Sequence, residues 1–258
     1  MAFGKTGIDW RSTVAAVWRS NRHFLKPITQ VELIAPDSLL GIDEQKALLY
    51  KNTENFLRGK PSSHALLWGA RGVGKTSLIK TLLTRYHSYG LRIIEIPKAD
   101  LHLLPDITDD LREHHHHFIL YCDDLTFEEG QREYGLLKSM MEGSLETPPT
   151  NVLIYATSNS RTLLPAQRAA NLNRNPRLEP AQPTVEDENF SLTDDFGLSL
   201  SFDPMDKEIY LAIVDQLFKG KAIDRSALHE EALRFAADRG GYSGRTARHF
   251  LTHYQIYM

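Results

Sequence analysis

The stretch that most constrains this chain is Trp68-Gly69-Ala70-Arg71-Gly72-Val73-Gly74-Lys75-Thr76-Ser77, which carries a complete G-x-x-x-x-G-K-[ST] phosphate-binding pattern. The apolar run Ala65-Leu66-Leu67-Trp68 precedes it, and Leu78, Ile79, Leu82, Leu83 and Tyr86 follow at the spacing of one helix face. Strand, loop and helix are therefore all present. Loop glycines let successive backbone N–H groups curl around anionic oxygens at a helix N-terminus, where the helix dipole also favours negative charge. Every residue from Gly69 through Ala70, Arg71, Gly72, Val73, Gly74, Lys75 and Thr76 to Ser77 is thus a phosphate-contacting candidate. Lys75 is expected to reach the β- and γ-phosphates as a mobile point charge, and the Thr76 hydroxyl to sit on Mg²⁺. Gly4-Lys5-Thr6 resembles the end of such a loop but has neither the upstream glycine nor a preceding strand.

A length of 258 residues with 41% hydrophobic content allows one substantial α/β domain plus a small appendage. The net charge of −3 argues against a global basic footprint for nucleic acid, so any such binding must be local. One cysteine, Cys122, excludes an internal disulfide framework and fits a reducing compartment. Its place inside an apolar strand makes it a core residue rather than a reactive one. No run of about 18 apolar residues and no apolar signal core are seen, so the expectation is a cytoplasmic, soluble protein that engages no membrane.

Residues 1 to 38 read as an N-terminal basic and aromatic arm, within which residues 1 to 30 set Lys5, Arg11, Arg19, Arg22 and Lys26 against Asp9 alone among Phe3, Trp10, Trp18 and Phe24. Residues 1–30 are a candidate for nucleic acid, and packing of the tryptophans on the chain's own domain or on a neighbouring subunit is the plainer alternative. From Leu39 a helix is expected to run to Leu57 with Asp43 as N-cap. Leu91 to Ile96 is a second strand, Leu101 to Leu111 a short helical connection broken by Pro105, and Phe118 to Asp124 an apolar strand ending in two carboxylates. A helix from Glu129 to Glu142 follows, then a strand from Asn151 to Thr157 that ends at Ser158-Asn159. Residues 165 to 195 are rich in Pro, Asn, Gln, Asp and Glu and read as an irregular excursion, after which Leu198 to Phe202 closes the core as a final strand.

This alternation predicts an α/β fold: a doubly wound, parallel, five-stranded sheet over residues 39–203, with its ligand at the carboxyl ends of the strands. Three helical stretches, Ile209 to Phe218, Ala227 to Ala237 and Gly244 to Tyr257, form a small C-terminal helical lid domain, residues 204–258. His114 to His117 fall before a strand where consecutive side chains diverge, and a solvated loop is the reading favoured over a metal site.

Asp123 follows Lys75 by 48 residues at a strand end, where a P-loop ATPase places the carboxylate that holds Mg²⁺ through water. Asp124 is the natural group to orient or deprotonate the attacking water, with Glu128 a weaker substitute. Asn159 is set to touch the γ-phosphate, and Arg245, with Arg248 one turn later, to close over the phosphates from the lid.

Together these motifs resemble an AAA+ ATPase module of the P-loop NTPase class. Gly69 to Thr76 resembles its Walker A loop, Phe118 to Asp124 its Walker B strand, Asn159 its sensor 1 and Arg245 its sensor 2. The chain is similar in particular to a bacterial AAA+ family of the domain-of-unknown-function type, through Leu39 to Asp43, Leu67 to Gly72, Cys122 to Leu125, Asn151 to Asn159 and Leu192 to Leu198. The resemblance implies ATP and Mg²⁺ as cofactors, ATP/ADP exchange, and Leu40 and Ile42 as further nucleotide contacts. It also implies ATP hydrolysis coupled to conformational change in a protein partner, and a homo- or hetero-oligomer assembled through the nucleotide interface. Most relatives with this layout carry Glu where Asp124 stands, although paired Asp is ordinary in the family it most resembles. Where that family has an arginine before Phe-Gly-Leu, this chain has Asp195, so either Arg161, Arg168, Arg174 or Arg177 supplies a finger charge, or self-assembled hydrolysis is impaired, or the native partner is a different subunit. A nucleotide-gated binding or adaptor module with little hydrolysis is the alternative.

Overall fold

The computed structural model describes residues 7–22, 24–126, 132–142, 147–160 and 196–257. The strand that leads into the phosphate-binding pattern is β3 (Ala65–Gly69), whose side chains alternate between two apolar layers: Ala65 and Leu67 join one cluster, Leu66 the other. That is the period-two behaviour of a strand buried on both faces. β4 (Leu91–Glu95), β5 (His117–Cys122), β6 (Val152–Ser158) and β7 (Leu198–Phe202) run parallel to it.

Among the described residues seven strands form the sheet rather than the five expected, because β1 (Ala15–Arg19) and β2 (Phe24–Pro27) join these five in the order β2-β1-β4-β5-β6-β3-β7. The two additions come from the stretch read as an arm. β1 lies parallel to β4, and β2 folds back antiparallel to β1 as the edge. Trp10 and Trp18 are only 2% and 3% exposed and sit in the main core. Arg92, buried in β4, ties this segment down: its Nε donates to the Trp10 carbonyl at 2.7 Å and its Nη1 to the His87 and Leu91 carbonyls.

Helices flank both faces, the doubly wound arrangement. α1 (Asp43–Leu57) and α2 (Lys75–Tyr86) cover one face through Leu49, Phe56, Leu78, Ile79 and Leu82. α3 (Leu104–Arg112) and α4 (Arg132–Glu142) cover the other through Leu104, Ile107, Leu111 and Leu137. Two local expectations are corrected. Ile42, not Asp43, occupies the N-cap of α1 without a side-chain cap bond, and Asp43 is the first helical residue, paired with Lys46 at 2.7 Å. Pro105 opens α3 instead of breaking it, because proline in a first turn costs no intrahelical hydrogen bond.

α5 (Lys207–Leu217), α6 (Arg225–Asp238) and α7 (Gly244–Tyr257) enclose a separate small core of Tyr210, Val214, Phe218, Leu228, Ala232, Ala236, Ala247 and Phe250. Asp206 and Asp224 cap the first two by accepting from Ile209 N and Ser226 N.

His64 links three strands. Its Nδ1 accepts from Ile154 N–H at 2.9 Å, and its carbonyl accepts from Leu198 N–H. Burial pulls its pKa down to about 4, and burial also lowers His116 and His117. A group with a depressed histidine pKa binds its proton more readily when unfolded, so its stabilisation is complete above about pH 6.5 and is lost as pH falls toward 4. Urea midpoints should therefore decline between pH 6.5 and 4.5, and His64→Gln should flatten part of that decline. A midpoint independent of pH in this window would refute the account.

Candidate nucleotide site

The loop between β3 and α2 is shaped by glycines at positive φ, and two of them have identifiable reasons. Gly69, at φ +124°, runs so close to the end of β7 that a Cβ would lie 2.1 Å from the Phe202 carbonyl oxygen. Ala70 N–H donates to that same oxygen at 2.9 Å, which anchors the loop to the sheet. Gly72, at φ +75°, faces the lid: a Cβ there would meet Ser243 at 2.8 Å, and its carbonyl accepts from Gly244 N–H at 3.0 Å.

Gly74 caps α2 in a left-handed conformation without a side-chain cap bond, so the helix presents its first-turn N–H groups as an anion site. Val73 is buried, Ser77 half-buried and Arg71 exposed. The Cδ1 of Ile42 lies 3.6 Å from where a Gly74 Cβ would stand, and Leu40 is half-buried just upstream.

Lys75 is 7% exposed, and its Nζ donates to the Gly69 and Ala70 carbonyls at 2.7 and 2.6 Å and to Asn159 Oδ1 at 3.4 Å. Burial lowers its pKa, and the charges of Asp124 and Asp123 counteract that. Across from it, Asp123 Oδ1 accepts from Thr76 Oγ1 at 3.1 Å and from the hydroxyls of Tyr121 and Thr157, each at 2.5 Å. Burial alone would raise this carboxylate, but the hydrogen bonds from Thr157, Tyr121 and Thr76 outweigh it and hold Asp123 below its ordinary value.

Asp124 adopts φ +50°, a left-handed conformation rare outside glycine and asparagine-like residues. Its N–H donates to Thr157 Oγ1 at 3.0 Å, and its Oδ1 accepts from Asn159 Nδ2 at 2.5 Å. The turn after β5 is thus held by the end of β6.

Lys75, Thr76, Asp123, Asp124 and Asn159 therefore form one connected hydrogen-bonded group. Arg245, exposed, stands beside Gly72 of the loop, with its Cβ 3.6 Å from a Cβ built there. Arg248 is exposed as well, and its charge acts on Glu32. Tyr121 and Thr157 were missed in the sequence, though Tyr121, in β5, precedes Asp123 just beyond its end by two residues, a spacing that shares one face of an extended chain. Glu128, Arg161, Arg168, Arg174, Arg177 and Asp195 lie outside the described residues, as does the excursion from 165 to 195. Of the histidine run, His117 opens β5 and packs edge-on against Phe56, while His114 and His116 meet the Phe118 ring. Cys122 is fully buried, and burial pushes its thiol up to about 12.

A family model described as a protein of unknown function, DUF815, matches residues 11–257. The chain belongs to the DUF815 family. No curated protein matches the sequence. Among solved structures, this DUF815 chain is similar to the Thermotoga maritima RuvB Holliday junction branch migration motor, with 16% identity and TM-score 0.56 over 88% of this chain and 65% of that one. A single-substitution variant of Thermotoga maritima RuvB aligns at 14% identity and TM-score 0.55, over 84% of this chain and 63% of that one. The DUF815 chain thus spans slightly under two thirds of those structures, and at such identity the likeness shows the fold alone, the one it shares with RuvB.

Because the obstruction at Gly69 is backbone, it cannot rotate away. Gly69→Ala should cost at least about 2 kcal/mol of unfolding free energy or prevent folding. Gly59→Ala, at φ +63° with open space around it, should cost only about 1 kcal/mol. Urea denaturation of the two variants decides it, and equal losses would contradict the close-approach argument.

Proposed function

We propose that this chain binds ATP with Mg²⁺ between the sheet edge and the helical lid, and hydrolyses it to drive a conformational change in a partner. One observation carries the reading: Lys75, Thr76, Asp123, Asp124 and Asn159 converge at the carboxyl ends of β3, β5 and β6. The donor set fits a hard divalent cation, since Thr76 supplies a hydroxyl and Asp123 a carboxylate held ionised. Bound there, Mg²⁺ would neutralise charge on the phosphate oxygens.

The protein's own groups take the remaining roles. Lys75 Nζ exchanges the Gly69 and Ala70 carbonyls for β- and γ-phosphate oxygens. Asn159 turns its amide to the γ-phosphate, and Asp124 orients a water or accepts its proton. Arg245, carried by the lid, closes over the phosphates, so the division between the lid (204–258) and the sheet domain, to which β1 and β2 also belong, is the division between the parts that move. Oligomerisation through the nucleotide face and a cytoplasmic location belong to the same proposal. No described helix is long and apolar enough to cross a membrane.

A nucleic-acid role narrows. Trp10 and Trp18 are buried, which leaves Phe24 with Arg19, Arg22 and Lys26 as the exposed aromatic and basic groups of the β1–β2 hairpin. The solved relative named for Holliday junctions keeps this sub-case open. The adaptor reading rests on Asp195 where a finger arginine is expected.

Turnover assayed across protein concentration separates the two main readings. Lys75→Ala should abolish nucleotide binding, while Asp124→Asn should bind ATP as tightly as the natural sequence yet lose at least about 100-fold in rate. Absence of turnover in the natural sequence, with binding intact and a rate restored by Asp195→Arg, would establish the adaptor. Loss of neither binding nor rate in Lys75→Ala would defeat both.

A further inference from the structure

We propose that Tyr121 is a positioning residue for Asp123, clamping its carboxylate together with Thr157 so that a nucleotide-bound divalent cation meets it in one orientation. This rests on the Mg²⁺-nucleotide reading above.

Between Phe118 and Cys122, Tyr121 is the one residue of β5 with a polar side-chain atom. It is 5% exposed and belongs to the core layer under α2. A buried phenol must find a hydrogen-bond partner, and here the two-residue period brings its O–H to Asp123 Oδ1 at 2.5 Å. The neighbouring strand contributes the second arm. Cys122 pairs with Ala156, so Thr157 stands level with Asp123, and its hydroxyl reaches the same oxygen at 2.5 Å.

Thr76 is the third donor on that oxygen and the longest of the three, at 3.1 Å. A carboxylate oxygen offers two lone pairs, so the two shorter donors, Tyr121 and Thr157, already fill it and resist rotation of the group. Thr76 is also the hydroxyl expected to turn to the cation. When it does, Tyr121 and Thr157 are the donors that remain, both rooted in strands. Thr157 is itself fixed, since it accepts from Asp124 N–H while donating to Asp123. The clamp therefore links the cation-holding carboxylate to the turn that aims Asp124.

Partners behind a metal ligand commonly control metal affinity by about 10- to 100-fold. Tyr121→Phe keeps the ring and its packing and deletes only the hydroxyl. The experiment is binding of a fluorescent ADP analogue across MgCl₂ and MnCl₂ titrations and in EDTA, with Mn²⁺ uptake followed by electron paramagnetic resonance. For Tyr121→Phe the cation concentration at half-maximal effect should rise about tenfold, while affinity in EDTA stays unchanged. Thr157→Val should do the same and Thr157→Ser should recover it, and this pair decides if Tyr121→Phe does not fold. Cation dependence within twofold of the natural sequence, in protein that binds nucleotide normally, overturns the clamp and leaves the reading of the site standing. If the natural sequence takes up nucleotide but no cation affects it, the metal part of that reading falls, and the clamp with it.

Discussion

The register of three neighbouring parallel strands is the constraint on which the rest of this site depends. Leu67 of β3 lies opposite Thr157 of β6, and Tyr121 of β5 opposite Tyr155. That alignment puts the start of the phosphate loop, the acidic pair and Asn159 at one level of one sheet edge. A slip of one residue in β5 would turn Tyr121 and Asp123 to the opposite face and bring Cys122 toward the loop. Such a slip is resisted because β5 is buried on both faces: Ile119 and Tyr121 pack in one layer, Phe118 and Leu120 in the other. The chemistry at the edge is therefore held in place by apolar burial several residues away.

The legible parts of the sequence were those in which a local pattern and its chemistry coincide. The phosphate loop announces itself through its own glycines and lysine, and the acidic pair stands at the end of an unbroken apolar run. The stretch before Leu39 was harder to read, because its charges suggested a solvated arm. Magnitudes decide otherwise: burying a tryptophan stabilises by up to about 4 to 6 kcal/mol, whereas each exposed positive charge contributes a few tenths of a kcal/mol at most. Trp10 and Trp18 dominate, and Arg19, Arg22 and Lys26 stay exposed at the edge they create. Tyr121 was overlooked for the opposite reason. In an apolar strand a tyrosine reads as packing, and only the partner strand's Thr157, 36 residues later in the chain, reveals that its hydroxyl faces a shared oxygen.

The lid owes its identity to having a core of its own, but it is seated on the nucleotide loop at few points. Ser243 and Gly244 rest on Gly72, and Ile209 fills the space a side chain at Gly41 would take. Gln216 adds one hydrogen bond to the Asp37 carbonyl at 3.2 Å. These seats are glycine or backbone groups, which allow close approach, while the Met205 side chain packs against both the sheet core and the lid core. Met205 excepted, the apolar clusters on either side stay intact when such contacts separate. The same economy of contact means that a change at Gly72 is felt at once by the first turn of α7, where Arg245 resides.

Lys75 connects these elements energetically. Its ammonium has left water for a site where the Gly69 and Ala70 carbonyls are its closest acceptors, and burial lowers its pKa accordingly. Carbonyl dipoles compensate only part of the lost hydration of a full positive charge. Asp123 and Asp124 raise the pKa again through space, yet each is engaged elsewhere, one by three hydroxyls and the other by Asn159. A multiply charged phosphate entering the loop offers what the carbonyls lack, since hydrogen bonds between ionised groups are about twice as strong as those between neutral ones. The incompletely compensated lysine thus makes the loop more favourable to a polyanion than its backbone amides alone would, and in the proposed complex its 3.4 Å contact to Asn159, the residue that holds Asp124, would be exchanged for the phosphates.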